Sequence, residues 1–189
     1  LTASKNWVGI RGYHGACLML LSLTWLLERF GVYWGEKWPA AVFLFSNFSF
    51  ITLATGMLLR TLIAHRDKDI YRQDNTFFLI ALPLLLPAKW LLLSPETFAA
   101  GVVLTQGIFR LAFLIMLERT ISTFMKNALK LEIRPQRQTD RNIKILALFL
   151  CFSAWLPATL TGVLEGITAL LLIWRLRGWL LSAALKRLD

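Results

Sequence analysis

Six long apolar stretches separated by short polar segments make up most of this 189-residue chain. Crossing about 30 Å of hydrocarbon takes about 20 helical residues. Because an open backbone N–H or C=O group is costly in lipid, each stretch is predicted to be an α-helix. The predicted helices cover residues 14–32, 39–64, 75–93, 96–126, 141–156 and 159–185. This pattern indicates an all-α, polytopic membrane helix bundle in which residues 1–189 form a single transmembrane domain.

Prolines mark where several of these helices begin, end or bend. Pro39 fits a helix start, and Pro157 marks the end of the fifth helix. Pro83 and Pro87 lie inside the third stretch, where each removes a backbone hydrogen bond. We therefore expect the third helix to kink or break and to be the weakest of the six.

Basic residues are abundant in every second gap between the apolar stretches. The rich gaps are 60–72, 119–144 and 175–187, and the poor gaps are 29–37, residue 89 and 156–162. Lys and Arg near a helix end resist export, so the rich gaps are predicted to face the cytoplasm. Both ends of the segment and the longest polar segment, the loop 127–140, are therefore predicted to be cytoplasmic.

Composition supports a membrane protein and argues against a nucleic-acid partner. The hydrophobic fraction is 57% and the mean hydropathy is +0.58, far above the even balance of a soluble domain. The net charge of +10 is confined to loops on one predicted face, where it can meet anionic lipid headgroups. The chain shows neither an initiator methionine nor a cleavable signal peptide, so we expect it to be a portion of a larger protein.

Arg110 is the clearest candidate for a functional residue, because a charge inside a span is costly without a partner. Its partner is expected on another helix, as a bound anion or as a cofactor carboxylate. Glu118 lies two turns away along the same helix, too far for direct contact. Glu165 suits the chemistry but is predicted to sit near the opposite, outer face. The alternative to a ligand-binding role is a structural ion pair.

Candidate metal ligands are sparse. His14 and Cys17 are spaced to share one helix face and could hold a soft metal, but two ligands on one helix are weak evidence, and an interfacial histidine beside a packed cysteine explains them better. His65 lies in a charged loop and fits a solvated role. The second cysteine, Cys151, is in a different span, and no C-x-x-C, nucleotide-binding or hydrolase motif is present. These residues alone name no reaction.

Two short motifs resemble the NnrS family of haem- and copper-containing bacterial membrane proteins linked to nitric oxide and denitrification. The first motif matches at Leu1, Thr2, Ala3, Asn6, Trp7 and Gly9, with Val8 in place of the usual Thr. The second matches at Arg119, Phe124 and Asn127, but Leu117, Glu118 and Ser122 replace two glycines and a proline of the family pattern. The basic region 174–179 is similar to the family's tryptophan-containing helix end.

The resemblance implies that this chain is the central portion of a twelve-helix protein in the bacterial inner membrane. It implies haem and possibly copper as cofactors, with ligands outside this segment, and a role in nitric oxide response or handling. Arg110, Arg119, Asn6 and Trp7 are the residues of this segment that could contact the cofactor. Whether the protein is an enzyme stays open. The alternatives are an accessory scaffold subunit of a respiratory or other bioenergetic complex, packed against partner membrane subunits, and a small-molecule transporter.

Overall fold

A computed structural model of the chain describes residues 12–68, 72–127, 130, 133 and 136–179. Across these residues the secondary structure consists of six α-helices and three 3₁₀ turns. The α-helices are α1 (Ala16–Trp34), α2 (Ala40–Ala64), α3 (Arg72–Leu92), α4 (Phe98–Asn127), α5 (Arg137–Leu150) and α6 (Ala158–Gly178). The 3₁₀ turns are Gly35–Lys37, Arg66–Lys68 and Ser153–Trp155. The predicted all-α fold class is confirmed.

Five of the six helices are long and apolar enough to cross a membrane. They are α1 with its following turn, α2, α3, α4 and α6. The exception is α5, which has 14 residues and carries charges along its first half. At 1.5 Å per residue it is about 21 Å long, shorter than the hydrocarbon layer. The helical membrane bundle is thus confirmed, while the crossing of the fifth segment stays a prediction.

The chain divides into two compact units, Leu1–Trp90 and Leu91–Asp189. In the first unit α1 and the turn after it pack against α2 at two glycines, Gly31 of α1 and Gly35 of the turn. A Cβ atom at Gly31 would lie 2.1 Å from Ser46 Oγ, and one at Gly35 would lie 2.5 Å from the Phe43 ring. Only glycine leaves room for so close an approach, which is the packing that G-x-x-x-G spacing allows between membrane helices.

Polar contacts join the other parts of the first unit. The Tyr13 hydroxyl donates to the Met57 carbonyl at 2.7 Å and so fixes the entry to α1 against α2. Lys89 Nζ of α3 donates to Glu28 Oε1 of α1 at 2.6 Å. Glu28 is buried, and a buried carboxylate requires such a cation because the charge has lost its water.

The third helix is continuous through both of its prolines, so it does not break there, while the kink stays a prediction. Pro83 and Pro87 are four residues apart and therefore lie on nearly the same side of α3. The backbone groups they leave unbonded are confined to that side. The remaining hydrogen bonds continue the helix, since opening the backbone further would expose more polar groups to an apolar surrounding.

The core of the second unit lies where α5 contacts α4 and α6. Buried residues recur along α5 at intervals of three and four, at Asp140, Ile143, Lys144, Ala147 and Leu150. This spacing puts them on one face of a helix. Leu111 and Ile115 of α4 are fully buried. A Cβ atom at Gly107 would lie 2.5 Å from the Cys151 Cα atom, so α4 also makes a close approach at a glycine.

Helix bounds differ from the predicted ones most clearly at α5. It begins at Arg137 and ends at Leu150, whereas the sequence pattern predicted 141–156 and a loop over 127–140. Hydropathy places the start too late because the residues of the first turn, 137–140, are all polar, although Asp140 among them is buried. The predicted end of the sixth helix, 180–185, lies outside the described residues.

Candidate functional site

Two ion pairs are buried where α4, α5 and α6 meet in the second unit. Lys144 Nζ lies 2.6 Å from Glu118 Oε2, and Arg175 Nε donates to Asp140 Oδ1. The side chains of Lys144, Asp140 and Arg175 are all more than nine-tenths buried. Removing a charge from water costs several kcal/mol unless a partner is held in good geometry. The two pairs therefore fix how the three helices contact one another.

Local sequence explains how each charge reaches this site. Asp140 and Lys144 are four residues apart and lie on the face of α5 that also carries Ile143. Arg175 lies in the last turn of α6, where a cation is also favoured by the partial negative charge at a helix C-terminus. Glu118 of α4 and Arg175 of α6 thus each pair with a charged residue of α5.

A small, partly open cavity is lined by these pairs and by apolar side chains. Its lining residues are Leu114, Leu117, Glu118, Asp140, Ile143, Lys144, Leu172, Arg175 and Trp179. Two buried donors of the lining, Arg175 Nη1 and Trp179 Nε1, have no hydrogen-bond acceptor among the described residues. Buried donors are nearly always satisfied in folded proteins. The arrangement suits an ordered water or another small hydrogen-bond acceptor, since four compensating charges give the lining no net charge.

Gly178 closes the cluster on the side of Arg175. A Cβ atom at this position would lie 2.9 Å from Arg175 Nη1 and 2.9 Å from Gln136 Nε2. A larger residue would therefore push the guanidinium or the amide away. The sequence offered no reason to single out this glycine, because Gln136 comes from the segment before α5, which is distant from Gly178 along the chain.

Arg110 does not lie in this cluster. Its side chain is 50% exposed, and Nη1 lies 3.9 Å from Glu165 Oε1, whose side chain is 54% exposed. A partner on another helix was expected, and Glu165 provides it. Glu165 was predicted to sit near the opposite, outer face, yet its carboxylate lies within ion-pair distance of Arg110. A charged side chain in the middle of a span is expected to face the bundle interior, but the Arg110 side chain is half exposed.

The predicted cofactor contacts are not brought together in the described residues. Arg119 is buried, but it lies nine residues from Arg110 on the same continuous helix. Nine residues correspond to about 13 Å of rise and to opposite sides of a helix. One group cannot contact both arginines directly. Asn6 and Trp7 lie outside the described residues.

The described residues do not fit a haem or copper site. His14 and Cys17 are exposed, and the His14 ring nitrogen Nδ1 is 2.9 Å from the Gly12 carbonyl oxygen. His65 is the C-terminal cap of α2. Within the described ranges, no three His, Cys, Asp or Glu side chains are grouped to hold a metal ion. No chemical step is therefore derived through a metal.

The buried ion pairs were missed by reasoning from sequence. Glu118 was considered as a neighbour of Arg110 and as a departure from the second motif, and Lys144 as a cytoplasmic charge, but neither was considered as the partner of the other. The available signal was the spacing of Asp140 and Lys144 on the same helix face as Ile143, Ala147 and Leu150. A charged residue on an apolar stripe indicates burial with a partner.

Comparison with known proteins identifies the family of the chain. No curated protein and no solved structure matches it. A family model described as NnrS protein matches residues 1–188, which is essentially the whole chain. The two motifs that resemble this family fall inside the matched range. The chain, with its membrane-type helices, therefore belongs to the NnrS family.

Proposed function

We propose that this chain is a membrane-embedded part of a haem- and copper-containing protein that acts in nitric oxide response or handling in the bacterial inner membrane. The observation that carries the proposal is the family match over residues 1–188. The five helices that are long and apolar enough to span a membrane support its location. The cofactors and the nitric oxide role follow from what the NnrS resemblance implies.

Within this proposal the described helices supply scaffold and pocket wall, and the metal ligands come from elsewhere in the protein. The two histidines lie at the surface or at a helix end, and no ligand group is formed among the described side chains. The buried pairs Lys144–Glu118 and Arg175–Asp140 would keep α4, α5 and α6 in fixed register beside the cofactor-bearing part.

An absorption spectrum and a copper determination test the proposal on the full protein purified from its native membrane. The expected result is a Soret band and bound copper. The variants His14→Ala and His65→Ala should retain both signals, because neither histidine is proposed as a ligand. Loss of haem in either variant would place a ligand in this chain and contradict the scaffold role. Absence of both haem and copper would favour an accessory scaffold subunit of a larger complex.

A separate experiment addresses nitric oxide. A strain that lacks the gene should grow more slowly than its parent when a nitric oxide donor is added, and a plasmid copy should restore growth. Equal growth of the deletion strain and the parent at every donor concentration would contradict the nitric oxide role. That result would leave the cofactor measurement unaffected, so the two parts of the proposal can fail independently.

A further inference from the structure

The ion pair between Arg110 and Glu165 lies within two membrane-type helices, yet both side chains are half exposed. Arg110 is 12 residues from the start of α4, which corresponds to about 18 Å of helix. An arginine facing lipid near the middle of a span costs at least about 2.5–3.5 kcal/mol. The 3.9 Å between its Nη1 and Glu165 Oε1 exceeds hydrogen-bond distance. The pair therefore needs further polar partners.

Two glycines lie beside Glu165 on the same flank of α6. Gly162 and Gly166 have the G-x-x-x-G spacing, and a Cβ atom at either would meet nothing within 4 Å. The same spacing at the end of α1 is filled, since Gly31 contacts Ser46 and Gly35, the first residue of the following turn, contacts Phe43. Small residues at this spacing let the backbone of another helix approach closely. The flank of α6 next to the charged pair thus has room for one.

We propose that Arg110, Glu165, Gly162 and Gly166 form a docking surface for a second copy of this chain, here called the Arg110–Glu165 face. The face carries one cation and one anion side by side, so it is complementary to itself. A two-fold axis through it places Arg110 of each copy against Glu165 of the other, as in an isologous interface. Four alternating charges then satisfy one another, and α6 of each copy contacts the glycines of its mate.

Disulfide cross-linking tests which chain covers this face. Two differently tagged copies carrying Gly162→Cys, in a Cys17→Ser background, are expressed together in the membrane and oxidised. The expected product is a dimer that carries both tags. The control is Ile167→Cys, which is also exposed but lies about 140° around α6 from Gly162. A dimer at least tenfold more abundant for Gly162→Cys supports the proposal. Equal yields, or a cross-link to a different protein, overturn it.

Charge reversal tests the role of the ion pair between copies. Copies carrying Arg110→Glu, or copies carrying Glu165→Arg, should not associate with themselves because like charges meet across the axis. A mixture of the two should associate, since each copy then offers the sign that the other lacks. Recovery of the tagged pair only in the mixture supports the proposal. Association of either variant alone, or none in the mixture, overturns it. If the reversed variants do not accumulate, the cross-linking result decides.

Discussion

At the scale of single residues, the glycines show that the effect of a substitution depends on the atoms around it. Gly31 and Gly56 both lie inside membrane-type helices of the first unit. A Cβ atom at Gly31 would collide with Ser46 at 2.1 Å from Oγ and 2.8 Å from Cβ, whereas a Cβ atom at Gly56 would meet nothing within 4 Å. The same substitution should therefore have opposite effects at the two positions.

We predict that Gly31→Ala lowers the free energy of unfolding by about 1–3 kcal/mol, the usual cost of overpacking. The clash involves the Ser46 Cβ atom as well as its hydroxyl, so rotation of the serine does not relieve it. Gly56→Ala, the matched control, should be neutral or stabilise by up to about 1 kcal/mol, because alanine favours a helix. Thermal unfolding in detergent measures both. Equal stability of the two variants would show that the α1–α2 approach is looser than described.

The pair between Arg175 and Asp140 leads to a second prediction at this scale. Arg175→Leu should lower stability by about 3–5 kcal/mol, because Asp140 would remain buried without its cation. The double variant Arg175→Leu with Asp140→Leu should be less destabilised than that single variant, since no uncompensated charge remains. Denaturant unfolding measures the free energy of unfolding of both variants and shows whether the double variant is the more stable.

The control for this pair is Arg177→Leu on the same helix. Arg177 is exposed, and its guanidinium carbon lies 5.6 Å from the centre of the Trp174 ring. An exposed cation–π contact contributes about 0.5–1 kcal/mol, so this variant should change stability little. A double variant as unstable as the single Arg175→Leu would contradict the account of a mutually compensating pair.

At the scale of elements, α3 shows that a helix in an apolar surrounding tolerates prolines that sequence rules treat as breaks. Pro83 cannot donate to the Leu79 carbonyl, and Pro87 cannot donate to that of Pro83. Both losses fall on one side of the helix. The helix remains continuous, and its predicted lower stability stays a prediction.

We predict that Pro83→Ala raises the thermal stability of the protein, because alanine restores a backbone donor at that position. The gain should not exceed about 3 kcal/mol, the cost of a proline inside a helix. Pro39→Ala provides the matched control, since Pro39 caps the start of α2 and removes no interior hydrogen bond. A loss of stability in Pro83→Ala would mean that the proline packs against a neighbour in a way that alanine cannot.

At the scale of the whole molecule, the distribution of Lys and Arg predicts orientation, which packing does not reveal. The contacts within each unit do not show which of its loops face the cytoplasm, whereas the charge pattern predicts this for both units. The rich gaps 60–72, 119–144 and 175–187 should lie in the cytoplasm. The short helix α5 is the element on which this topology depends most, because it must bring the chain back across.

We predict that Gln138→Cys is labelled only from the cytoplasm and Glu36→Cys only from the outside, in a Cys17→Ser background. Both positions are exposed, so a membrane-impermeant maleimide can reach each of them from the correct side. Labelling of intact cells is compared with labelling of inverted vesicles. The reverse labelling pattern would show that the topology is inverted. Labelling of both positions from the same side would show that the chain does not cross the membrane an odd number of times between them.

The sequence by itself determined the helices, their apolar character and the family. These properties are local: hydrogen bonds join residues four apart, and about 20 apolar residues suffice to span the hydrocarbon. The bounds of α2 and α4 agree with the predicted ones within two residues. The motifs at Asn6–Trp7 and Arg119 were sufficient to indicate the NnrS family, which the match over residues 1–188 confirms.

Only the tertiary structure decided which charges are partners. The rotation and depth of one helix against another select Glu165 for Arg110, Glu118 for Lys144 and Asp140 for Arg175. The same contacts distinguish the filled pair Gly31 and Gly35 from the open pair Gly162 and Gly166 of α6. The distribution of Lys and Arg placed Lys144 in a cytoplasmic gap, because the sequence pattern records a charge but not the carboxylate from another helix that permits its burial.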